Sequence, residues 1–158
     1  MKQYSEPEAL NKAAAYCTPA ERCISEVNAK LMAWGIDSDA RTRIIRRLVD
    51  EKFIDEKRYC RAFVNDKMRF NHWGRIKIAA KLKEKELSSE EIATALADID
   101  EDEYASILHT LLKSKSKETG KSDDYRARQK LLRFAISRGF EYPLILKQLK
   151  FDPDEMDF

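Results

Sequence analysis

The chain has 158 residues, of which 43% are hydrophobic and 37% charged, and its net charge is +2. This hydrophobic fraction excludes a disordered chain, and the length fits one compact domain or a short array of small units. Four glycines and four prolines are few, which disfavours strands joined by tight turns and favours helices.

Helix-capping residues divide the chain into nine short helices, the first running from about Pro7 to Cys17. Thr18 is predicted to cap the second helix, with Pro19 in its first turn and Gly35 in a left-handed conformation at its end. The later helices are predicted to begin at Asp37 to Asp39, at Asp55, after Gly74, at Ser88 or Ser89, in the acidic run near 100, at Ser122 or Asp123, and at Glu141.

A weak internal repeat relates these helices. Ile36, Leu87 and Phe140 each follow a basic helix, and hydrophobic residues then recur at similar distances behind each of them. The spacing predicts an all-α protein, a tandem array of three three-helix repeats at 6–54, 55–99 and 100–151, which stack into one continuous core. Residues 118–124 are predicted to be a flexible linker, and 152–158 form an acidic tail.

Helical periodicity predicts which hydrophobic side chains point into this core. The predicted set is Leu31, Ile44, Leu48, Phe63, Ile76, Leu82, Ile92, Leu96, Leu131, Phe134, Ile145 and Leu149.

Basic side chains are concentrated in residues 41–85 and 107–150, and acids in 86–106. In the segment "FNHWGRIKIAAKLKEKEL", Lys77, Lys81 and Lys85 recur every four residues, so they are expected on one face of a helix. Such a face is either only solvated or a contact surface for an acidic partner or a polyanion. Similar stripes are expected on two other helices, which favours the contact surface.

The candidate partner-binding or nucleic-acid-binding residues are these basic residues and one tryptophan. Trp73 either stacks on a base or a partner, or packs at a helix junction. The full set is Arg43, Arg46, Arg47, Lys57, Arg58, Arg61, Arg69, Trp73, Arg75, Lys77, Lys81, Lys85, Arg126, Lys130 and Arg133.

Motifs for catalysis, metals and cofactors are missing from the sequence. No phosphate-binding glycine loop, zinc motif or nucleophile elbow occurs, so neither an enzyme, a cofactor nor a metal site is expected. Cys17, Cys23 and Cys60 form no CxxC motif and are expected to be reduced thiols. No window approaches the roughly 20 apolar residues of a membrane span, so a cytoplasmic protein is expected.

Several segments resemble the RecX family, the bacterial regulators of the RecA recombinase, over about residues 20–150. The most specific is "FIDEKRYCRAFVNDK", which carries a family signature at Asp55, Arg58, Tyr59, Ala62, Phe63 and Val64. "ERCISEVNAKLMAWGI", "WGRIKIAAKLKEKEL" and "RQKLLRFAISRGFEYPLILKQL" resemble the family's other segments in the same order. Lys81 and Glu86 stand where the family usually has Glu and Gly.

This resemblance implies tandem three-helix repeats in an elongated, curved array. It also implies a non-enzymatic inhibitor that lies along the RecA–DNA filament and suppresses strand exchange, ATP hydrolysis and co-protease activity. A monomer is expected. Direct binding to single- or double-stranded DNA without RecA stays open as the alternative.

Overall fold

A computed structural model describes residues 3–119 and 125–150, and within these residues the chain forms nine α-helices and no strand. The helices are α1 Glu6–Tyr16, α2 Ile24–Ala33, α3 Ser38–Asp50, α4 Glu56–Arg69, α5 Arg75–Glu84, α6 Ser89–Ala97, α7 Glu101–Thr119, α8 Tyr125–Ser137 and α9 Tyr142–Leu149. The predicted all-α repeat fold is confirmed. Predictions about residues 120–124 and the acidic tail, including the cap of α8, fall outside the described residues.

The described residues divide into two compact units. One unit holds residues 3–63 and 82–95, and the other holds 64–81, 96–119 and 125–150. The division passes through α4 between Phe63 and Val64, and through α5 between Lys81 and Leu82.

The first unit contains a core in which α1, α2 and α3 pack against one another pairwise. Ala9 and Ala13 are fully buried on α1, and their small side chains let the neighbouring helices approach closely. Leu31, Ile44 and Leu48 fill the space between the helices, as their periodicity predicted.

In the second unit α7, α8 and α9 pack against one another. The largest fully buried side chains here include Tyr104, Leu108, Leu132, Phe140 and Ile145. The rings of Tyr104 and Phe140 are tilted, with centroids 5.1 Å apart, an arrangement that aromatic pairs favour.

The three positions that define the sequence repeat end their helices in the same way. The backbone N–H groups of Ile36, Leu87 and Phe140 each donate to the carbonyl five residues earlier, over 3.0 to 3.2 Å. The residue before each one has positive φ, which is 78° at Gly35, 67° at Glu86 and 94° at Gly139. This is the Schellman pattern of a helix C-terminus, so the predicted register is confirmed.

Thr18 does not cap the second helix, contrary to the prediction. Its hydroxyl donates to the carbonyl of Ala14 over 3.1 Å, so it completes the end of α1. Helix α2 begins later, where Cys23 is the N-cap and its N–H donates to Glu26 Oε1 over 3.1 Å. The Glu26 side chain, three residues after the N-cap, therefore accepts from the N–H of the N-cap residue, as the glutamate of a capping box does.

Ile76 was predicted to point inward, but its side chain is 58% exposed and Ile78 is buried instead. Ile78 and Leu82 are four residues apart and share one face of α5, whereas Ile76 lies about 200° around the helix from Ile78. Backbone contacts at the start of α5 fix this rotation, because Ile76 N donates to Gly139 O over 2.9 Å.

The other predicted core positions are buried or half-buried. Leu82, Ile92, Leu131 and Ile145 are buried. The half-buried members of the set are Phe63, Leu96, Phe134 and Leu149.

Candidate binding surfaces

Among the residues that the structure describes, at least six of the fifteen candidates form ion pairs, so their charges are already matched by carboxylates. The pairs are Arg43–Glu6 (2.7 Å), Arg47–Glu51 (3.2 Å), Arg58–Glu21 (2.5 Å), Arg69–Glu103 (2.7 Å), Arg75–Glu141 (2.7 Å) and Lys85–Glu26 (3.2 Å). A polyanion that recruits one of these cations must compete with its carboxylate.

Arg75 is the most constrained of the paired residues. Its side chain is 20% exposed and also forms an ion pair with Glu101. Its guanidinium carbon lies 4.0 Å from the centroid of the Tyr104 ring, and its backbone N–H donates to the Tyr104 hydroxyl over 2.9 Å. The Tyr104 hydroxyl in turn donates to Glu141. These contacts assign Arg75 to the packing of the second unit.

The predicted lysine stripe is not one freely exposed helix face, because α5 ends at Glu84 and Lys85 lies beyond it. Lys77, Lys81 and Lys85 are half-buried, and Lys85 Nζ is held by Glu26. The Lys77 and Lys67 ammonium groups lie 4.6 and 5.0 Å from the centroid of the half-buried Trp73 ring. The indole therefore contacts two cations at the helix junction.

Six candidate residues are exposed and form no ion pair or hydrogen bond through their side chains within residues 3–119 and 125–150. They are Arg46 on α3, Lys57 and Arg61 on α4, and Arg126, Lys130 and Arg133 on α8. The α8 group shares one side of its helix, opposite the buried Ala127 and Leu131, as the sequence predicted. We call all six residues, on α3, α4 and α8, the unpaired cations.

The two most exposed large hydrophobic side chains among the described residues of the second unit were missing from the predicted site. Phe70 is 80% exposed and Ile76 is 58% exposed. Aromatic side chains such as that of Phe70 are enriched in protein–protein contacts. The only sequence signal was the aromatic residue directly after the basic helix α4, and periodicity assigned Ile76 to the core.

A group of carboxyls and thiols lies within the first unit, around Glu56. Burial raises the pKa of Glu56 from 4.5 to about 7, and the Glu91 and Glu26 carboxylates add to the rise. Burial likewise raises the pKa of Cys60 to about 11. All three cysteines are free, as predicted, and a raised pKa keeps a thiol protonated and unreactive near neutral pH.

Neither a metal site nor a membrane span is visible in the part of the chain that the structure describes. No group of three or more His, Cys, Asp or Glu side chains there is arranged to hold a metal ion. None of the helices there is long and apolar enough to cross a membrane.

Comparison with family models relates most of the chain to one family. Residues 55–96 match the model described as the second three-helix domain of RecX, and residues 101–149 match the third three-helix domain of RecX.

Individual relatives in the curated collection support the same family. The regulatory protein RecX of Lactobacillus johnsonii is 26% identical over 99% of this chain, and that of Clostridium botulinum strain Eklund 17B is 32% identical over 79%. The matched region covers 59% of each of these two proteins, so the chain spans about three fifths of their length. RecX of Xanthomonas citri is 29% identical, over 98% of this chain and 93% of that protein.

Solved structures support the fold. The crystal structure of RecX from Lactobacillus salivarius superposes with a TM-score of 0.82 at 23% identity, covering 92% of this chain and 94% of that one. A second crystal structure of a regulatory protein RecX gives a TM-score of 0.79 at 19% identity, covering 92% of this chain and 73% of that one. At these identities the likeness shows a common fold.

Proposed function

The chain belongs to the RecX family, and on that premise we propose that it is a non-enzymatic regulator of the RecA recombinase. It binds the filament of RecA on DNA and inhibits strand exchange, ATP hydrolysis and co-protease activity. This function places it in the cytoplasm, in recombination, DNA repair and the SOS response. The repeat boundaries 6–54, 55–99 and 100–151, and the monomeric state, are part of the same proposal.

The observation that carries the proposal is the set of unpaired cations. Their charges are exposed and have no carboxylate partner within the described residues, so a polyanion gains their attraction without first breaking an ion pair. Six cations on α3, α4 and α8 give both units a means of attracting the phosphates of a nucleoprotein filament. Arg43, Arg47 and Arg69 contribute less in this account, because Glu6, Glu51 and Glu103 already neutralise them.

Phe70 and Ile76 are the proposed protein-contact residues. Burying an exposed phenylalanine side chain against a partner contributes about 2 kcal/mol, which is enough to select a protein surface over bare DNA. Both residues lie in the second unit, which also holds the three unpaired cations of α8.

The test is the ATPase activity of RecA on single-stranded DNA, measured with and without the protein. We expect the protein to lower the steady-state rate, and to bind RecA-coated DNA more tightly than bare DNA of the same length. An unchanged ATPase rate at saturating protein would overturn the proposal.

The second candidate is a DNA-binding module that acts without RecA, which the same unpaired cations favour. In that case affinity for bare DNA would equal or exceed affinity for the coated filament. Both affinities would then fall steeply with salt, by about 0.7 logarithmic units per decade for each phosphate neutralised on a single strand.

A further inference from the structure

A cavity of about 270 Å³ lies in the second unit, between α7, α8 and the connection that precedes α5. Three basic side chains and two hydroxyl side chains line it, together with one aromatic ring. The lining residues that matter here are His72, Thr110, Ser114, Lys115, Phe134 and Arg138. His72, Lys115 and Arg138 are far apart in sequence, and none belongs to the candidate set drawn from the basic stripes.

Phe134 holds the two strongest cations of the cavity in place. The Lys115 ammonium lies 4.9 Å and the Arg138 guanidinium carbon 5.0 Å from the centroid of its half-buried ring. Cation–π contacts restrain both side chains while leaving their N–H donors available to an anion. Thr110 and Ser114 are four residues apart on α7, so their hydroxyls project from the same face of the helix into this cavity. The donors are therefore pre-arranged for a ligand rich in acceptor oxygens.

The backbone at the cavity wall is strained. His72 has φ of 54°, in the left-handed region that a residue with a side chain adopts only at a cost of about 1 kcal/mol or more. A glycine would adopt this conformation without the cost. The imidazole of His72 lines the cavity, where its ring nitrogens can take part in hydrogen bonding to a ligand.

We propose that this cavity binds one phosphate group of single-stranded DNA, together with part of the attached nucleoside. A partly open cavity of about 270 Å³ suits a single strand, because an unpaired nucleotide can bend into it whereas a base-paired nucleotide is held in its duplex. The strand has a path out of the cavity along α8, since Lys130 lies one turn before Phe134 on the same side of the helix and Arg126 one turn further. Both of these cations are exposed and unpaired within the described residues.

Glu118 opposes this binding. Its carboxylate also lines the cavity and pairs with Lys115 Nζ over 3.2 Å, while its side chain is 69% exposed. A phosphate that enters must displace Glu118 from Lys115 and sit near its negative charge. The proposal therefore requires two effects of opposite sign: removing a cation weakens binding, whereas removing the Glu118 charge strengthens it.

The experiment uses the full chain and a labelled oligothymidylate of about 15 nucleotides, with affinity measured by fluorescence anisotropy across a salt series. Lys115→Gln and Arg138→Gln should each weaken binding about tenfold at low salt. Together the two changes should reduce the logarithmic salt slope by about 0.7, because both cations contact the same phosphate. Lys113→Gln is the matched control, since Lys113 is exposed on the same helix and does not line the cavity.

Two further variants separate loss of binding from loss of folding, because a misfolded protein would neither bind more tightly nor become more stable. Glu118→Gln should tighten binding about two- to fivefold at low salt, whereas Asp102→Asn on the same helix should not. His72→Gly should raise the thermal stability of the protein and still lower its affinity for the oligonucleotide, a pair of responses that a purely structural histidine would not give.

Three outcomes would overturn the proposal. The first is that the parent protein does not bind the oligonucleotide. The second is that the cavity variants change affinity and salt slope no more than their controls. The third is that inorganic polyphosphate, which has no nucleosides, shows the full set of effects and the oligonucleotide shows none. Since RecA is absent, failure here leaves inhibition of the RecA ATPase untouched, and failure of that inhibition leaves this site untouched.

Discussion

Gly74 lies back to back with Gly139, so that the start of α5 is fixed against the end of α8. Gly74 N donates to the carbonyl of Arg138 over 2.7 Å. A Cβ atom placed on Gly74 would lie 2.4 Å from the carbonyl carbon of Gly139, and one placed on Gly139 would lie 2.4 Å from the Cβ of Lys77. Neither position has space for a side chain, because backbone atoms form most of the contact.

Replacing either glycine by alanine should therefore destabilise the protein strongly. Gly74→Ala should cost about 2 kcal/mol or more from steric overlap, and Gly139→Ala should cost more because its φ of 94° is also unfavourable for alanine. Gly35→Ala is the control, since Gly35 has φ of 78° but no atom within 4 Å of its added Cβ, so only about 1 kcal/mol is expected. Urea denaturation followed by circular dichroism measures all three. If the three variants lost equal free energy of unfolding, the close contact between Gly74 and Gly139 would not contribute to stability.

Glu86 offers the reverse case, a position where glycine should stabilise. It has φ of 67° and is exposed, and it stands at the helix end where the other two repeats have Gly35 and Gly139. Glu86→Gly should raise the free energy of unfolding by about 0.5–1 kcal/mol, because the left-handed strain disappears. Ala80→Gly, at an exposed position in the middle of α5, should instead lower it by about 1 kcal/mol. A thermal melt of each variant checks the pair, and a lower melting temperature for Glu86→Gly would refute the strain argument.

Glu56 should make the protein less stable as the pH rises. Burial, with help from Glu91 and Glu26, raises its pKa from 4.5 to about 7, so proton binding favours the folded state. This contribution to stability is complete below about pH 4.5 and is lost as the pH rises through about 7. Glu56→Gln cannot ionise and should be more stable than the parent near pH 8, with the difference shrinking towards pH 4.5. Glu90→Gln, at an exposed site on α6, is the control. Parallel pH profiles for the parent and Glu56→Gln would contradict the argument.

Phe70 is expected to contribute to partner binding and not to the stability of the fold. Because its side chain is 80% exposed, Phe70→Ser should leave the melting temperature within a few degrees of the parent. The same change should raise the protein concentration needed to half-inhibit the RecA ATPase by about tenfold, as expected for loss of a contact anchor. Phe53→Ser, at a phenylalanine that is 38% exposed in the first unit, is the comparison. If inhibition survives Phe70→Ser unchanged, this residue lies outside the contact.

Local signals in the sequence predicted much of this fold. Gly35 and Gly139 marked helix ends, and the alignment of Ile36, Leu87 and Phe140 identified three equivalent caps. The outward side of α8 also followed from its periodicity, because that helix alternates clearly between apolar and basic residues.

Features that depend on distant residues could not be predicted in this way. The rotation of α5 follows from the contact between Gly74 and Gly139, 65 positions apart in the chain, and not from its own ambiguous pattern of isoleucines. The pairing of Arg43 with Glu6 joins residues 37 positions apart, so a basic stripe gave no sign of which charges were already neutralised. The cavity around Phe134 could not be predicted either, because His72, Lys115 and Arg138 come together only in the folded unit.

A titration of the RecA ATPase on single-stranded DNA with two charge-matched variants tests most directly whether the unpaired cations attract the filament. One variant changes the unpaired Arg126, Lys130 and Arg133 to Gln, and the other changes the ion-paired Arg43, Arg47 and Arg69 to Gln. If the unpaired cations attract the filament, the first variant should need about tenfold more protein for half-inhibition, while the second stays within about twofold of the parent. Equal inhibition curves for the two variants would contradict the account.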